Sequence, residues 1–269
     1  MKSIVIALFL CVLIFVSSSP SEAQLATPDA NGLAMGHLHL GAKDVEGMNK
    51  FFIALGGTPT EIRADLIEFP GIFVIVRQAD PPPTGGTAGS TVNHIGFNVK
   101  NMQESKAKWD AAGLQWEPNG RPTQGYLVGP GGIRVEIIEN TAIATPIKFH
   151  HVHFFSEAPP TDMQAWYVKT FGAVAGKRGN LDAADLPGVN LTFSKSDTPV
   201  VGTKGRSLDH IGFDVKNLEQ FTKALESRGT KFDRPYSKVA KPTTTTATAF
   251  LTDPWGTYVE LTENLAPAK

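Results

Sequence analysis

The sequence has 269 residues, of which 41% are hydrophobic and 19% are charged, a composition typical of a soluble globular protein. A formal net charge of −1 provides no overall field for nucleic acid or an anionic membrane surface, so we expect neither as a partner. The single cysteine, Cys11, lies near the N-terminus, which excludes disulfides, thiolate nucleophiles and cysteine-ligated metal from the rest of the chain.

The first residues predict a secretory signal peptide over residues 1–23. Lys2 precedes an apolar run from Ile4 to Val16, and Ser21-Glu22-Ala23 has the small residues of a cleavage site. The run is shorter than the roughly 20 residues that span a bilayer, which disfavours the alternative of an uncleaved anchor and predicts no stable membrane insertion. Cleavage near Ala23 predicts a secreted or periplasmic protein.

The chain then begins with a predicted strand, a helix and two more strands. Met35 to Leu40 alternates in polarity as a strand does, and Asp44 can cap a helix over Val45 to Leu55. Two apolar runs, Leu66 to Phe69 and Ile72 to Val76, predict strands on either side of a Pro-Gly turn.

The same order of elements recurs three more times. The later units begin with predicted strands at 91–99, 149–155 and 208–215, and each strand is followed by a helix and further strands. Asn101 and Asn217 are predicted to cap the helices of the second and fourth units. Four units with one order of elements indicate a repeated architecture.

The clearest repeat is NHIGFNVKN at 93–101, which recurs as DHIGFDVKN at 209–217. The first strands of the four units align one histidine each, and two later apolar strands each contain a glutamate; these residues are His37, His94, His151, His210, Glu136 and Glu260. A lone strand histidine is more often a satisfied core residue than a ligand, and a strand glutamate can form a salt bridge or face outward. The joint pattern favours metal ligation, since a buried unpaired carboxylate costs several kcal/mol.

This order of elements resembles the vicinal oxygen chelate superfamily, which contains glyoxalase I, the bleomycin-resistance proteins and the extradiol dioxygenases. The resemblance covers nearly all of the chain after residue 23, and it depends on histidine-bearing strands before capped helices and on a G/D-P-x-G-x-x-x-E motif. It implies an α+β fold of four βαβββ modules, paired into two incomplete-barrel halves at 35–140 and 149–264.

The resemblance also implies a set of metal ligands in each half. His37, His94 and Glu136 would serve the first half, and His151, His210 and Glu260 the second; the fourth ligand positions fall on Ile75 and Thr192. Two histidines and one carboxylate form the facial triad of non-haem Fe(II) oxygenases. We therefore expect a divalent ion (Fe, Mn, Zn or Ni), and if only one half is active, we expect the second by analogy with the dioxygenases.

Other residues are candidate catalytic groups. His39 and His153 follow a predicted ligand by two residues and so share its strand face, and Tyr126 could donate a phenol proton; each could equally line a pocket without a chemical role. Arg234 and nearby lysines could attract an anionic substrate or be solvated charges. Phe250 stands where extradiol dioxygenases have a tyrosine, so their acid–base partners are incomplete here.

The sequence therefore predicts an exported metalloprotein that binds vicinal oxygens of a small-molecule substrate. The favoured function is a metal-dependent enzyme, either dioxygenase-like or a glyoxalase-like lyase or isomerase. The alternatives are a non-catalytic binding protein of the bleomycin-resistance type and a structural pseudoenzyme. Because four modules can close both clefts within one chain, a monomer and a homodimer are both compatible with the sequence.

Overall fold

The structure is a computed structural model that describes residues 25–61, 63–240 and 245–265. The predicted signal peptide lies outside the described residues, as does Lys241, one of the lysines considered for anion binding.

Strands and helices follow one another in four groups of one strand, one helix and three strands. The first group is β1 (Leu33–Ala42), α1 (Val45–Leu55), β2 (Thr58–Pro59), β3 (Leu66–Phe69) and β4 (Ile72–Gln78). The second is β5 (Val92–Val99), α2 (Met102–Ala111), β6 (Trp116–Pro118), β7 (Gln124–Gly129) and β8 (Ile133–Glu139). The third is β9 (Ile147–Ser156), α3 (Pro160–Phe171), β10 (Val174–Arg178), β11 (Leu181–Leu186) and β12 (Val189–Lys195). The fourth is β13 (Leu208–Val215), α4 (Leu218–Ser227), β14 (Arg234–Ala240), β15 (Thr245–Thr252) and β16 (Tyr258–Glu263).

Two of the predicted helix caps are confirmed and one is wrong. Asp44 Oδ1 accepts the backbone N–H of Gly47 at 2.9 Å, and Asn101 Oδ1 accepts that of Glu104 at 3.0 Å. Asn217 instead has a left-handed backbone, with φ 53°, and its side chain makes no capping hydrogen bond. At the start of this helix the carboxylate of Glu263 accepts the N–H groups of Asn217 and Leu218 at 3.2 and 3.4 Å.

The predicted α+β fold with four βαβββ modules is confirmed. The modules form two eight-stranded sheets that are not closed into barrels. The first sheet has the strand order β14-β15-β16-β13-β1-β4-β3-β2, and the second has the order β10-β11-β12-β9-β5-β8-β7-β6.

The predicted pairing of neighbouring modules is wrong. The first sheet joins the first module to the fourth through antiparallel β1 and β13, and the second sheet joins the second to the third through antiparallel β5 and β9. The ranges 35–140 and 149–264 therefore each contain half of both sheets. The connection at 140–146 is short and keeps β9 in the sheet of β5, whereas the longer connections at 79–91 and 196–207 run between the sheets.

These two longer connections are hydrogen-bonded to each other. Thr84 N donates to Gly205 O, and Ser207 N donates to Gly85 O, both at 2.9 Å. The guanidinium of Arg206 donates to Gly86 O through Nε at 2.9 Å and Nη2 at 2.6 Å. The crossing connections thus satisfy much of each other's backbone and hold the two sheets in one arrangement.

One hydrophobic core extends over both sheets and the helices that cover them. On β1, Leu38 and Leu40 are fully buried in this core. Because side chains alternate along a strand, His37 and His39 lie on the opposite face of the sheet. No helix among the described residues combines the length and apolarity required to cross a bilayer.

Candidate metal centres

The register of the first sheet brings together one cluster, which we call site 1. Antiparallel pairing places His37 opposite Gly212 and His39 opposite His210. Parallel pairing of β13 with β16 places Glu260 beside Gly212. Site 1 therefore consists of His37, His39, His210 and Glu260, with the ligand atoms of the four residues within 4.8 Å of one another.

The donor atoms of site 1 converge on one carboxylate oxygen. Nε2 of His37 and Nε2 of His210 each lie 2.9 Å from Glu260 Oε2. His37 is fully buried, and its Nδ1 has no hydrogen-bond partner among the described residues. Two imidazoles and a carboxylate are thus directed at one point inside the sheet.

A glycine in each copy of the HIGF repeat makes room for an imidazole. A Cβ atom at Gly212 would overlap the ring of His37, and a Cβ at Gly96 would overlap the ring of His151. Each imidazole thus occupies the space that a side chain at the facing glycine would fill, so close packing of a histidine against a glycine determines its position.

Asp209 orients the imidazole of His210. Its Oδ1 lies 2.6 Å from His210 Nδ1, and its Oδ2 accepts the N–H of Gly205 at 2.7 Å. A carboxylate on Nδ1 fixes the tautomer and leaves Nε2 as the ligand atom. Burial lowers the pKa of His210, but the hydrogen bonds to Asp209 and Glu260 more than offset it and raise the pKa above its ordinary value.

The pKa values of His39 and Glu260, by contrast, are lowered. Burial lowers the pKa of His39 to about 3, so this imidazole is neutral at neutral pH. Burial alone would raise the pKa of Glu260, but hydrogen bonds from His210 and His37 hold it well below its ordinary value. Site 1 thus presents an ionised carboxylate near neutral pH.

Site 1 opens into a cavity of about 310 Å³. Its apolar wall includes Ile75 and the stacked rings of Phe250 and Tyr258, whose centroids are 5.2 Å apart. Three arginines also line it, namely Arg63, Arg77 and Arg234. The volume is at the small end of the range of ligand sites in proteins.

The second sheet carries an equivalent cluster, which we call site 2. His151 lies opposite Gly96, His94 lies opposite His153, and Glu136 lies beside Gly96. Glu136 Oε2 is 2.9 Å from His151 Nε2 and 3.4 Å from His94 Nε2. Burial would raise the pKa of Glu136, but the imidazoles of His151 and His94 hold it well below its ordinary value.

Site 2 differs from site 1 in the partners of its carboxylate. Glu136 Oε1 accepts hydrogen bonds from Gln124 Nε2 and from the hydroxyl of Tyr126, the latter at 3.3 Å. Arg178 Nη1 lies 3.4 Å from Glu136 Oε2. The group beside His94 is an amide instead of the carboxylate that Asp209 provides in site 1: Asn93 Oδ1 lies 2.9 Å from His94 Nδ1. The carboxylate of site 2 therefore already has a cationic partner.

The predicted ligands are brought together in other combinations than the sequence suggested. His37 lies with His210 and Glu260, not with His94 and Glu136, because the first module shares a sheet with the fourth. His151 correspondingly lies with His94 and Glu136. The two predicted triads are therefore wrong as groups. That these residues bind metal stays a prediction.

The predicted catalytic candidates lie next to these ligands. The ring of His39 packs against that of His210 with centroids 4.4 Å apart and a tilt of 34°, and the ring centroids of His153 and His94 are 4.7 Å apart. Tyr126 contacts Glu136, so it belongs to site 2. Sequence analysis did not single out Asp209 or Arg178; the Asn-to-Asp difference between the two repeats was the available signal for the first.

The donor set of site 1 fits a divalent ion. Two ligand atoms that each lie about 2.1 Å from an ion at a right angle are about 3.0 Å apart, close to the 2.9 Å separations in site 1. The two carboxylates, Glu260 and Asp209, also favour a cation there, since the contacts described for them come from imidazoles and a backbone N–H and not from an arginine or lysine. The arrangement of site 2 does not fit a divalent ion, because the guanidinium of Arg178 already contacts the carboxylate of Glu136.

Comparisons with known proteins agree with the architecture. The sequence model of the Glyoxalase/Bleomycin resistance protein/Dioxygenase superfamily matches residues 91–261. No curated protein was found to match the sequence. Glyoxalase I from Zea mays is similar in structure with a TM-score of 0.65 and 15% identity, over 86% of this chain and 92% of that one. A Bacillus subtilis protein, provisionally assigned as a dioxygenase, has a TM-score of 0.59 and 16% identity, over 91% and 87% of the two chains.

Proposed function

Since the chain belongs to the glyoxalase/bleomycin resistance protein/dioxygenase superfamily, we propose that it is a metal-dependent enzyme whose active centre is site 1. The substrate is a small molecule that offers two vicinal oxygens. The observation that carries this proposal is the convergence of His37 Nε2 and His210 Nε2 on Glu260 Oε2 at the base of a cavity.

Some residues of site 1 would hold the ion, and others form the wall of the cavity. A divalent ion bound there would supply Lewis-acid polarisation of the substrate oxygens. Asp209 holds His210 in the tautomer that presents Nε2, and Glu260 reduces the positive charge of the centre. Phe250 and Tyr258 form an apolar wall that limits water at the reacting atoms.

The cavity favours a substrate that also carries an anionic group. Arg63, Arg77 and Arg234 are all in its lining, and the guanidinium of Arg234 lies over the ring of Phe250 at 4.7 Å. Asp65 neutralises only part of this charge, since it accepts hydrogen bonds from both Arg63 and Arg77. A guanidinium binds carboxylate or phosphate oxygens in a planar, bidentate manner.

Metal content tests the assignment of the centre. We expect wild-type protein, reconstituted separately with Fe(II) under anaerobic conditions, Mn, Zn and Ni, to retain one of these ions, as measured by elemental analysis after desalting. His210→Ala and Glu260→Gln should remove it, whereas the matched changes His94→Ala and Glu136→Gln should not. A protein that retains none of the four ions would refute a metal-dependent function.

Substrate class is tested with a pair of probes that differ by one charge. Catechol and 3,4-dihydroxybenzoate both offer vicinal oxygens, but only the second carries a carboxylate. By calorimetric titration of the metal-loaded protein, we expect the carboxylate to improve affinity about tenfold, a gain that Arg234→Gln should reduce. Equal affinities would argue against the anionic substrate. Oxygen uptake with the same probes, set against lyase activity on thiol adducts, distinguishes the reaction classes.

We also propose that the protein acts after export, in the periplasm or outside the cell. Support comes from the charged start, the apolar run and the small-residue site before Gln24. Mass spectrometry of the protein recovered from fractionated cells should find an N-terminus near Gln24 outside the cytoplasm. An intact N-terminus in the cytoplasmic fraction would contradict export.

A further inference from the structure

The guanidinium of Arg178 lies within site 2. Arg178 is the last residue of β10, and its side chain is 21% exposed. It makes three contacts there: Nη1 lies 3.4 Å from Glu136 Oε2, Nη2 lies 3.2 Å from His153 Nδ1, and Nε donates to Thr192 Oγ1 at 2.8 Å.

These contacts use the same electron pairs that a metal ion would need. A guanidinium has only donors and stays charged at any ordinary pH, so Nδ1 of His153 must accept its hydrogen bond. The opposite nitrogen, Nε2, then carries the proton and donates to Ser194 Oγ at 2.8 Å. His153 therefore has no free lone pair for a metal, and Glu136 Oε2 faces a permanent cation.

The charged groups that contact the glutamate and the neighbouring histidine also differ between the two sites. In site 2, Glu136 and Arg178 cancel, and the residue beside His94 is the neutral Asn93. In site 1, Glu260 and Asp209 are both carboxylates, and the cation contacts that the structure describes for Glu260 are those of the histidines alone. At the ligand carboxylate itself, a metal ion would therefore compete with a guanidinium in site 2 but only with imidazoles in site 1.

One position explains why the arginine enters only site 2. Thr192 lies beside His153 in the second sheet, and Ile75 lies beside His39 at the equivalent place in the first sheet. Thr192 offers an oxygen to Arg178, whereas Ile75 offers none. Arg63, from the corresponding hairpin of the first module, is instead held by Asp65 through Nε and Nη2 at 2.9 and 2.8 Å.

We propose that the guanidinium of Arg178 is the resident cation of site 2, so that this cluster is a structural ion-pair centre that excludes metal. The protein then binds one divalent ion per chain although it carries two sets of histidine and glutamate ligands. Removal of the guanidinium converts site 2 into a second metal site. This proposal does not depend on the reaction that site 1 performs.

The test counts Zn²⁺ ions per chain by calorimetric titration and elemental analysis of protein first stripped with a chelator. We expect one ion in wild type, two in Arg178→Met, and one again in the double variant Arg178→Met/Glu136→Gln. Thr192→Ile, which removes the oxygen that anchors Arg178 without touching a ligand, should also admit a second ion and serves if Arg178→Met does not fold.

Arg134→Met is the matched control, because its guanidinium also lies near site 2, 3.6 Å from the ring of Tyr126, but does not contact Glu136. It should leave the count at one. Two ions in wild type would overturn the proposal, and so would a folded Arg178→Met and Thr192→Ile that each gain none. If wild type binds none and Arg178→Met binds one, site 1 fails as a metal centre while the role of Arg178 stands.

Discussion

Gly212 and Gly96 show how a residue without a side chain can position an imidazole on a neighbouring strand. Each glycine lies directly across the sheet from a buried histidine, His37 or His151, and a Cβ at either position would collide with the facing ring. The backbone of one module thus forms the surface on which the imidazole of another module rests. The glycine of the HIGF repeat therefore lies inside a strand, not in a turn, and leaves room for the facing imidazole.

We predict that Gly212→Ala abolishes metal binding at site 1, because the added methyl group displaces His37. The overlap should also cost about 1–3 kcal/mol of stability. Gly96→Ala is the control: it crowds His151 to a similar degree in site 2 and should lower stability while leaving metal content unchanged. Elemental analysis measures the metal content, and thermal denaturation measures the stability. Equal metal loss in the two variants would contradict the assignment of site 1 as the metal centre.

Asp209 supports a second prediction at the residue scale. Loss of a carboxylate that orients a ligating histidine lowers metal affinity about 10–100-fold. We therefore expect Asp209→Asn to weaken Zn²⁺ binding by a factor in this range in competition with a chelating dye, because the amide orients His210 less firmly. Asn93→Asp, the reverse change beside His94, should not alter the affinity of site 1. An unchanged affinity in Asp209→Asn would show that the carboxylate has no such role.

The candidate ligand residues could be selected from the sequence, but their environment could not be predicted. Histidine and glutamate are conspicuous in apolar strands, so His37, His94, His151, His210, Glu136 and Glu260 could be selected from the repeats. Arg178 could not, because nothing in the sequence of a surface hairpin shows that its guanidinium turns inward to a neighbouring strand. Thr192 was seen only as a neutral residue in a ligand position.

At the scale of elements, the hairpin that precedes β4 is held by a shared carboxylate. Asp65 accepts hydrogen bonds from Arg63 and from Arg77 Nε, the latter at 2.8 Å. Burial would raise its pKa, but the two guanidinium groups lower it to about 2. Because the folded-state pKa is depressed, the resulting stabilisation is present above the ordinary pKa and is lost as pH falls through about 2.

We predict that Asp65→Asn lowers the free energy of unfolding by about 1 kcal/mol at neutral pH, a value reduced by partial solvent screening. The difference from wild type should shrink as the pH falls from about 4 to about 2, where the wild-type carboxylate becomes protonated. Urea unfolding at a series of pH values measures it. Asp182→Asn, which breaks a single exposed pair with Lys177, should show a smaller effect with no comparable pH trend.

Most elements could be predicted where the pattern was strong. The bounds of α1 and β13 agree with prediction because Asp44 and the apolar alternation define them. The edge strands β2, β6, β10 and β14 were missed, since they are short or polar and bury little: Thr58–Pro59, for example, is exposed along its whole length. The inner strand β11 was missed as well, because Leu181–Leu186 contains no β-branched or aromatic residue. Edge strands depend on a neighbouring strand, which no local pattern reports.

At the scale of the whole molecule, the pairing of modules is the feature that sequence did not reveal. All four modules present a histidine on the first strand, so either pairing gives each site two histidines and one glutamate. The difference lies in the connections: the short one at 140–146 joins modules of one sheet, and the long ones at 79–91 and 196–207 join different sheets. Each site draws all its candidate ligands from one chain, which is compatible with a monomer or a homodimer.

This topology makes the second sheet continuous in sequence, from 92 to 195, and places it between the two parts of the first. We predict that a fragment of residues 90–197 unfolds cooperatively on heating, because it contains every strand of that sheet. A fragment of residues 35–140 should not, since β1 and β5 would both lack their antiparallel partners. Circular dichroism measures both transitions, and a cooperative transition in 35–140 alone would contradict the pairing.

Site 1 joins strands from opposite ends of the described chain, His37 on β1 and Glu260 on β16. During biosynthesis, every strand of the second sheet is therefore synthesised before β13 and β16, which complete site 1. A product truncated before Glu260 would retain site 2 but lack the carboxylate of site 1. If site 1 holds an ion as proposed, only a chain synthesised through β16 would gain the protection from unfolding that a bound ligand confers.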